Sequence, residues 1–345
     1  MSRPAAGVGA VAALLCILAA VSGCQIGGLA AGATGGKPTA SAALPRAPYV
    51  DLVDRVAARQ TKVWIEVDLV KAWQAGPQRY GDVLNIALRL ASRPGVVGIK
   101  IADELGYHDG IDTPGQARAF LAQASKDIRS RLPGTKILVD MIVPQLGCVG
   151  WVVEKATQTE RLDCATAEGN VSPAATIDAV DGYLGSKTID VLDLSAGLRH
   201  AAEYDTWKTT PDEAMRAIWT EVVRRRWGVL VALQARKAMA HPGSYQGGSA
   251  QAEQDLRTFV DIPLANGAQA VDIWTWSQPY KGTTYRLSDP GLRTNPLMAG
   301  LARRRAAGAQ LFTHMTPSSL EVSIEADVLA ATATFTSVFV AAGAG

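Results

Sequence analysis

Connections that are short going into strands and long coming out of them restrict the fold of this 345-residue chain more than any other feature. Six apolar runs read as strands, at 63–68, 96–104, 136–143, 189–195, 229–236 and 270–278. Segments with helical periodicity separate them, near 79–92, 114–131, 173–185, 211–226, 250–266 and 291–307. Strands alternating with helices of this length mean βαβ units and a parallel sheet. The links from helix to strand are tiny: Arg93-Pro94-Gly95, Pro133-Gly134-Thr135, Ser186-Lys187-Thr188 and Asn266-Gly267-Ala268. Those from strand to helix are long, above all between Val143 and Ser172. In α/β folds the edge that follows the strands carries function, and the opposite edge only connects.

Four helix starts are marked by a capping side chain before proline: Thr113-Pro114, Ser172-Pro173, Thr210-Pro211 and Asp289-Pro290. Proline suits the first helical position because that N–H has no intrahelical partner. Thr113 with Gln116 and Thr210 with Glu213 complete capping boxes. The fold expected is a TIM-type (β/α)8 barrel, complete or degenerate, ahead of an open parallel α/β sheet. No G-x-G-x-x-G follows the first strand, which weakens the dinucleotide-binding form of that sheet. Missing strands are sought in 51–61, 147–155 and 320–329.

The chain divides into a signal peptide (1–23), a lipid-anchored flexible linker (24–50), a barrel domain (51–308) and a tail of unassigned structure (309–345). Arg3 and an apolar run over 7–20 form a secretion signal too short to span a bilayer, which takes ~20 residues. Val21-Ser22-Gly23-Cys24 resembles the lipobox of bacterial lipoproteins, which implies an acylated Cys24 and an extracytoplasmic, membrane-anchored domain. The linker is rich in Gly, Ala, Ser, Thr and Pro, as flexible tethers are. In an oxidising compartment the remaining pair, Cys148 and Cys164, reads as a disulfide. In the tail, 320–328 alternates like a strand, so an extra edge strand or a disordered end is expected there. With 34 basic against 32 acidic residues there is no excess of charge for nucleic acid to meet, so none is expected as a partner.

Alternation along the strands sorts side chains onto two faces. One face is apolar: Val63, Ile65, Val67, Ile99, Ile101, Val139, Met141, Leu192, Leu194, Val231, Leu233, Val271 and Ile273. The other holds Glu66, Asp68, Lys100, Glu104, Asp140, Asp193, Ser195, Gln234, Arg236, Asp272, Trp274, Trp276 and Gln278. Barrel interiors are normally filled with branched apolar residues, so charges there are either an ion-pair network, such as Lys100 with Glu66 or Asp140, or a site.

Ile101-Ala102-Asp103-Glu104, Asp193 and Asp272-Ile273-Trp274-Thr275-Trp276, all at strand ends, make residues 60–307 resemble a glycoside-hydrolase-type (β/α)8 barrel. That resemblance implies hydrolysis of a glycosidic bond by paired carboxylates, with carbohydrate as partner and no cofactor. Glu104 is the acid expected and Asp193 the nucleophile or base, with Asp140 and Asp272 in reserve. Glu66, Asp68, Tyr107, His108, Gln234, Arg236, Trp274, Trp276 and Gln278 are expected to hold substrate. A non-catalytic carbohydrate-binding lipoprotein is the alternative. Metal-dependent hydrolysis through His108, His200 and His241 ranks third, since no H-x-H or H-E-x-x-H spacing occurs and no metal ligand set is expected. Schiff-base chemistry through Lys100 or Lys237 ranks last.

Overall fold

The computed structural model describes residues 45–107, 109–149, 158–197, 208–280 and 282–342. The signal peptide, Cys24, the linker up to residue 44 and His108 lie outside them, as do His200, Tyr204 and Trp207. No helix among the described residues is long and apolar enough to cross a membrane.

Eight parallel strands close into a barrel in chain order. They are β1 (Lys62–Glu66), β2 (Val96–Ala102), β3 (Lys136–Ile142), β4 (Val191–Ser195), β5 (Ala232–Ala238), β6 (Ala270–Trp274), β7 (Leu311–Met315) and β8 (Ser337–Ala341). The expected TIM-type fold is therefore present and complete. Six strands match the expected runs. The two that close the barrel lie in the segment set aside as a tail, where β8 pairs with both β7 and β1. The edge strand expected near 320–328 is corrected: this stretch leads into the helix Ile324–Thr334, capped by Ser323, whose side chain accepts from Ala326 N–H. Residues 51–58 are also helical, within Ala47–Ala58.

Helix starts follow the local chemistry. Thr113 and Thr210 form the expected capping boxes. Ser172-Pro173 opens only a 3₁₀ turn, and Thr176 caps the helix that follows. The helix expected over 291–307 begins at Pro296 rather than Pro290, with Asn295 as its cap. Cys148 and Cys164 are joined, at a Cα–Cα distance of 5.7 Å, tying the helix Pro144–Val149 to Gln158–Val171 beyond β3. Constraining a loop of that size in the unfolded chain stabilises by about 3 kcal/mol in the chain-entropy account.

Each strand faces two cores. The side chains expected on the outer face pack under the helices in one large cluster. Inside the barrel a smaller apolar plug forms from Trp64, Leu138, Val191, Ala270, Phe312 and Phe339. Two positions further along five of these strands, on the same inward face, stand Glu66, Asp140, Asp193, Asp272 and His314. The strands thus run from an apolar floor towards a polar upper layer at their C-terminal ends.

The floor is tight at Gly98. A Cβ there would lie 2.6 Å from the Lys136 carbonyl oxygen and closer still to the Trp64 ring. Neither the β-ladder backbone nor an enclosed indole can yield cheaply. Gly98→Ala is expected to cost about 3 kcal/mol, the upper end of ordinary overpacking. Thermal unfolding followed by circular dichroism checks this, and a loss below about 1 kcal/mol would show that the floor has slack.

A three-stranded antiparallel sheet of His241–Pro242, Thr283–Arg286 and Ser277–Tyr280 rises from the loops after β5 and β6. Its Tyr285 ring lies 6.1 Å from Trp274 and 5.8 Å from Tyr280, forming an aromatic wall beyond the end of β6.

Candidate active site at the barrel mouth

Three cations organise the polar layer. Lys100, wholly enclosed, places Nζ 3.0 Å from Glu66, 2.9 Å from Asp103 and 3.3 Å from Asp140. Beneath it the Phe339 ring lies 5.7 Å from Nζ, so the ammonium rests on the plug. Arg236 reaches Asp140 at 2.9 Å, Glu104 at 3.1 Å and Asp103 at 3.5 Å. His314 bridges two carboxylates, with Nδ1 2.6 Å from Glu66 Oε2 and Nε2 2.8 Å from Asp272 Oδ2. Its ring stacks on Phe339 at 4.7 Å.

The electrostatics follow from burial and these partners. Burial alone would strip the proton from His314, but Asp272 and Glu66 outweigh it and raise the imidazole to about 9. Both ring nitrogens therefore donate near neutral pH. Burial likewise opposes ionisation of Asp272, yet the His314 cation holds that carboxyl at about 2. Glu66 is held below its ordinary value by His314 and Lys100, against the pull of burial. Lys100 and Arg236 lie well above theirs because their carboxylates overcome desolvation.

Asp193 is the exception. It is fully enclosed, and neither of its oxygens receives an N–H or O–H among the described residues. Its charged neighbours include Asp272 and Asp140, carboxyls like itself, so burial and then their repulsion push Asp193 well above the carboxylate range. A proton on Asp193, shared with Asp272, resolves the conflict, as in other enclosed carboxyl pairs. Burial also raises Asp140, but Arg236 and Lys100 oppose it there, which leaves Asp193 the better proton store. Asp272, His314 and Glu66 are hydrogen-bonded in series, and a proton on Asp193 supplies a donor at the Asp272 end of that series.

The layer opens on one side only. Asp140, Asp193 and Asp272 are sealed, whereas the side chains of Glu66, Glu104 and Asp103 are 16%, 23% and 40% exposed. Glu104 sits just beyond β2 in left-handed backbone, φ 57°, a conformation that costs a non-glycine residue about 1 kcal/mol or more. Tyr107 N–H donates to the Glu104 carbonyl oxygen, and the Tyr107 ring is half-buried beside it. Burial, then the Glu104 and Glu168 charges, raise the Tyr107 hydroxyl.

Of the expected residues, Glu66, Glu104, Asp140, Asp193, Gln234, Arg236 and Asp272 share this layer or its rim. Trp274 ends β6 beside the aromatic wall. Others are corrected. Trp276 is sealed in the outer core, its Nε1–H donating to Asp327 and its ring edge-on to Phe335. Asp68 caps the helix Leu69–Gln74, accepting from Lys71 N–H. Gln278 lies in the side sheet opposite Tyr285. In all three cases the barrel ladder has already ended, at Glu66 or at Trp274, so the strand alternation no longer applies. His241 packs edge-on against Tyr245 in the side-sheet region. Among the described residues no group of three or more His, Cys, Asp or Glu is arranged to hold a metal ion.

His314 is absent from the expected site, and Lys100 enters the expectations as an ion-pair partner or, last in rank, a Schiff-base amine. The signal for His314 was present: Gly308 ends a helix, and Leu311-Phe312-Thr313-His314-Met315 follows as a short apolar run.

No family model matches the chain, and neither does any curated protein. Among solved structures it is similar to 2,3-dimethylmalate lyase, a PEP mutase/isocitrate lyase superfamily member. Identity there is 12%, over 86% of this chain and 79% of that one, with a TM-score of 0.41. It is also similar to the carboxyl transferase domain of Rhizobium etli pyruvate carboxylase with pyruvate, at 15% identity and a TM-score of 0.41. That match covers 91% of this chain but only 46% of the carboxyl transferase chain. At these values the likeness transfers no residue role. The geometry itself disagrees with glycosidic hydrolysis. Glycosidic cleavage needs two carboxyls flanking an open bond, whereas Arg236 holds Glu104 and Asp193 is sealed. Glycosidic hydrolysis by Glu104 and Asp193 is thereby corrected, and the carbohydrate partner expected with it loses its support.

Proposed function

We propose that the barrel mouth is an enzyme active site for general acid–base chemistry on a small polar substrate. The observation that carries this reading is the enclosed Asp193, a carboxyl without a donor, at the inner end of a path that emerges at Glu66. The stored proton acts in two shifts: Asp193 passes it to Asp272, which removes the charge that holds the His314 cation, and His314 then releases its Nδ1 proton to Glu66 while keeping Nε2–H. Asp103 and Glu104, held by Lys100 and Arg236, offer acceptors for substrate hydroxyl or amine groups at the rim. Arg236 and Lys100 are already engaged by carboxylates, so the rim favours neutral or cationic molecules over anions.

Asp193→Asn tests the store, because the amide keeps the shape and the hydrogen bond to Asp272 but has no transferable proton. Infrared spectroscopy of the parent at pH 7 should show a protonated carboxyl that this variant lacks. Exchange of carbon-bound hydrogen in D2O, screened by NMR over small hydroxy and amino compounds, should fall by about 10²-fold or more in the variant. Its stability at pH 7 should equal or exceed the parent's. A parent with no protonated carboxyl at pH 7 would refute the store, and equal exchange in the two proteins would leave the layer a structural ion-pair network.

A further inference from the structure

Lys237 takes no part in the mouth. It follows Arg236 on β5 and therefore projects from the opposite face of the strand, towards the helical segment over 249–265. That segment is not regular: the α-helix Ser249–Leu256 widens into a π-helical turn, Arg257–Asp261, before Ile262–Ala265. Such widened turns are rare and cluster at functional sites. This one carries Phe259, and Lys237 Nζ lies 4.4 Å from the centre of its ring. Asp255 is engaged elsewhere, accepting from Tyr245 Oη at 2.7 Å and from Gln251 at 2.8 Å. Beside the amine is a cavity of about 30 Å³ walled by Leu194, Ser195, Met215, Trp219, Phe259 and Pro263. An amine in such surroundings is pushed towards its neutral, nucleophilic form by burial, with Asp255 opposing through space.

We propose that Lys237 is a carbonyl-capturing amine. Its Nζ stands in a cavity walled by Trp219, Phe259 and Pro263, without a carboxylate partner among the described residues, and forms an imine with a small aldehyde. The nitrogen lone pair attacks the carbonyl carbon, and the C=O π pair moves to oxygen. Proton transfer gives a carbinolamine, and loss of water leaves the C=N bond. The cavity has room for little more than the carbonyl group itself, so the substrate class is an aldehyde of about two carbons with any substituent directed outward.

The test uses the full chain with glycolaldehyde, and cyanoborohydride as the hydride source that locks the imine, followed by peptide mass mapping. Near neutral pH, Lys237 is expected to be tagged about tenfold faster than exposed Lys62, Lys126 and Lys187 for each unit by which it titrates below ~10.4. Its labelling should also rise at lower pH than theirs. Lys237→Met and Lys237→Arg should lose this tag and keep the others. Labelling of Lys237 no faster than the exposed lysines, or with the same pH dependence, overturns the proposal. That comparison within the parent protein decides the matter even where a variant fails to fold. His314→Gln should leave the tag unchanged, so this outcome is separate from the fate of the acid–base reading.

Discussion

Lys100→Met is expected to lose about 3–5 kcal/mol, the cost of leaving buried partners of a charge uncompensated. Met fills nearly the same volume and keeps contact with Phe339, so a packing defect would account for only a small part of the loss. What disappears is the ammonium within 3.3 Å of Glu66, Asp103 and Asp140. Asp140 is sealed from water and would retain only Arg236. Adding Asp140→Asn removes one of the stranded charges, and the double variant should recover about 1–3 kcal/mol relative to the sum of the singles. Denaturant unfolding with the disulfide intact supplies both numbers. A single-variant loss under about 1 kcal/mol would mean that water reaches the layer and solvates it.

The second large effect belongs to His314 and appears as a dependence on pH. Its folded value of about 9 lies above the unfolded value of ~6.5, so the native state binds the extra proton between those limits. Stability from this group is complete below about pH 6.5 and is lost as pH rises through 9, a change of about 3 kcal/mol. Asp272, held at about 2, works at the other end: its contribution is present above about pH 4 and disappears as pH falls towards 2. His314→Leu leaves Glu66 and Asp272 without their shared donor and should cost about 3–5 kcal/mol at pH 7. The fall between pH 6.5 and 9 should flatten in the same variant. Denaturation midpoints across that range check both, and an unchanged slope in His314→Leu would assign the pH dependence to another group.

The barrel wall was readable because alternation is strict wherever a ladder is continuous. Val63, Ile99, Val139, Leu192 and Val271 fall on the outer face as expected, and Glu66, Asp140, Asp193 and Asp272 on the inner. The same rule misled where it was carried past the end of a ladder. Asp68 had left β1 and was already capping a helix, and Trp276 had left β6 for the outer core. Two strands escaped for a different reason. The helix between β7 and β8 carries its two acids in the first turn and only apolar residues and threonines after them, so its periodicity is faint and no clear strand–helix–strand pattern marks its flanks. Closure supplies what the local pattern lacks: β1 needs a parallel neighbour on each side, and only a later strand remains to provide the second. His314 travelled with that omission. The pairing of His314 with Glu66, 248 residues apart, has no local signature at all.

Trp64, Phe312 and Phe339 close the lower end of the barrel, so a molecule that reaches Glu66 or Glu104 must come and go past the strands' C-terminal ends. An occupant that lingers excludes its successor. If the mouth is the proposed acid–base site, departure of the spent molecule by that same route limits the pace, and its accumulation outside slows its own formation.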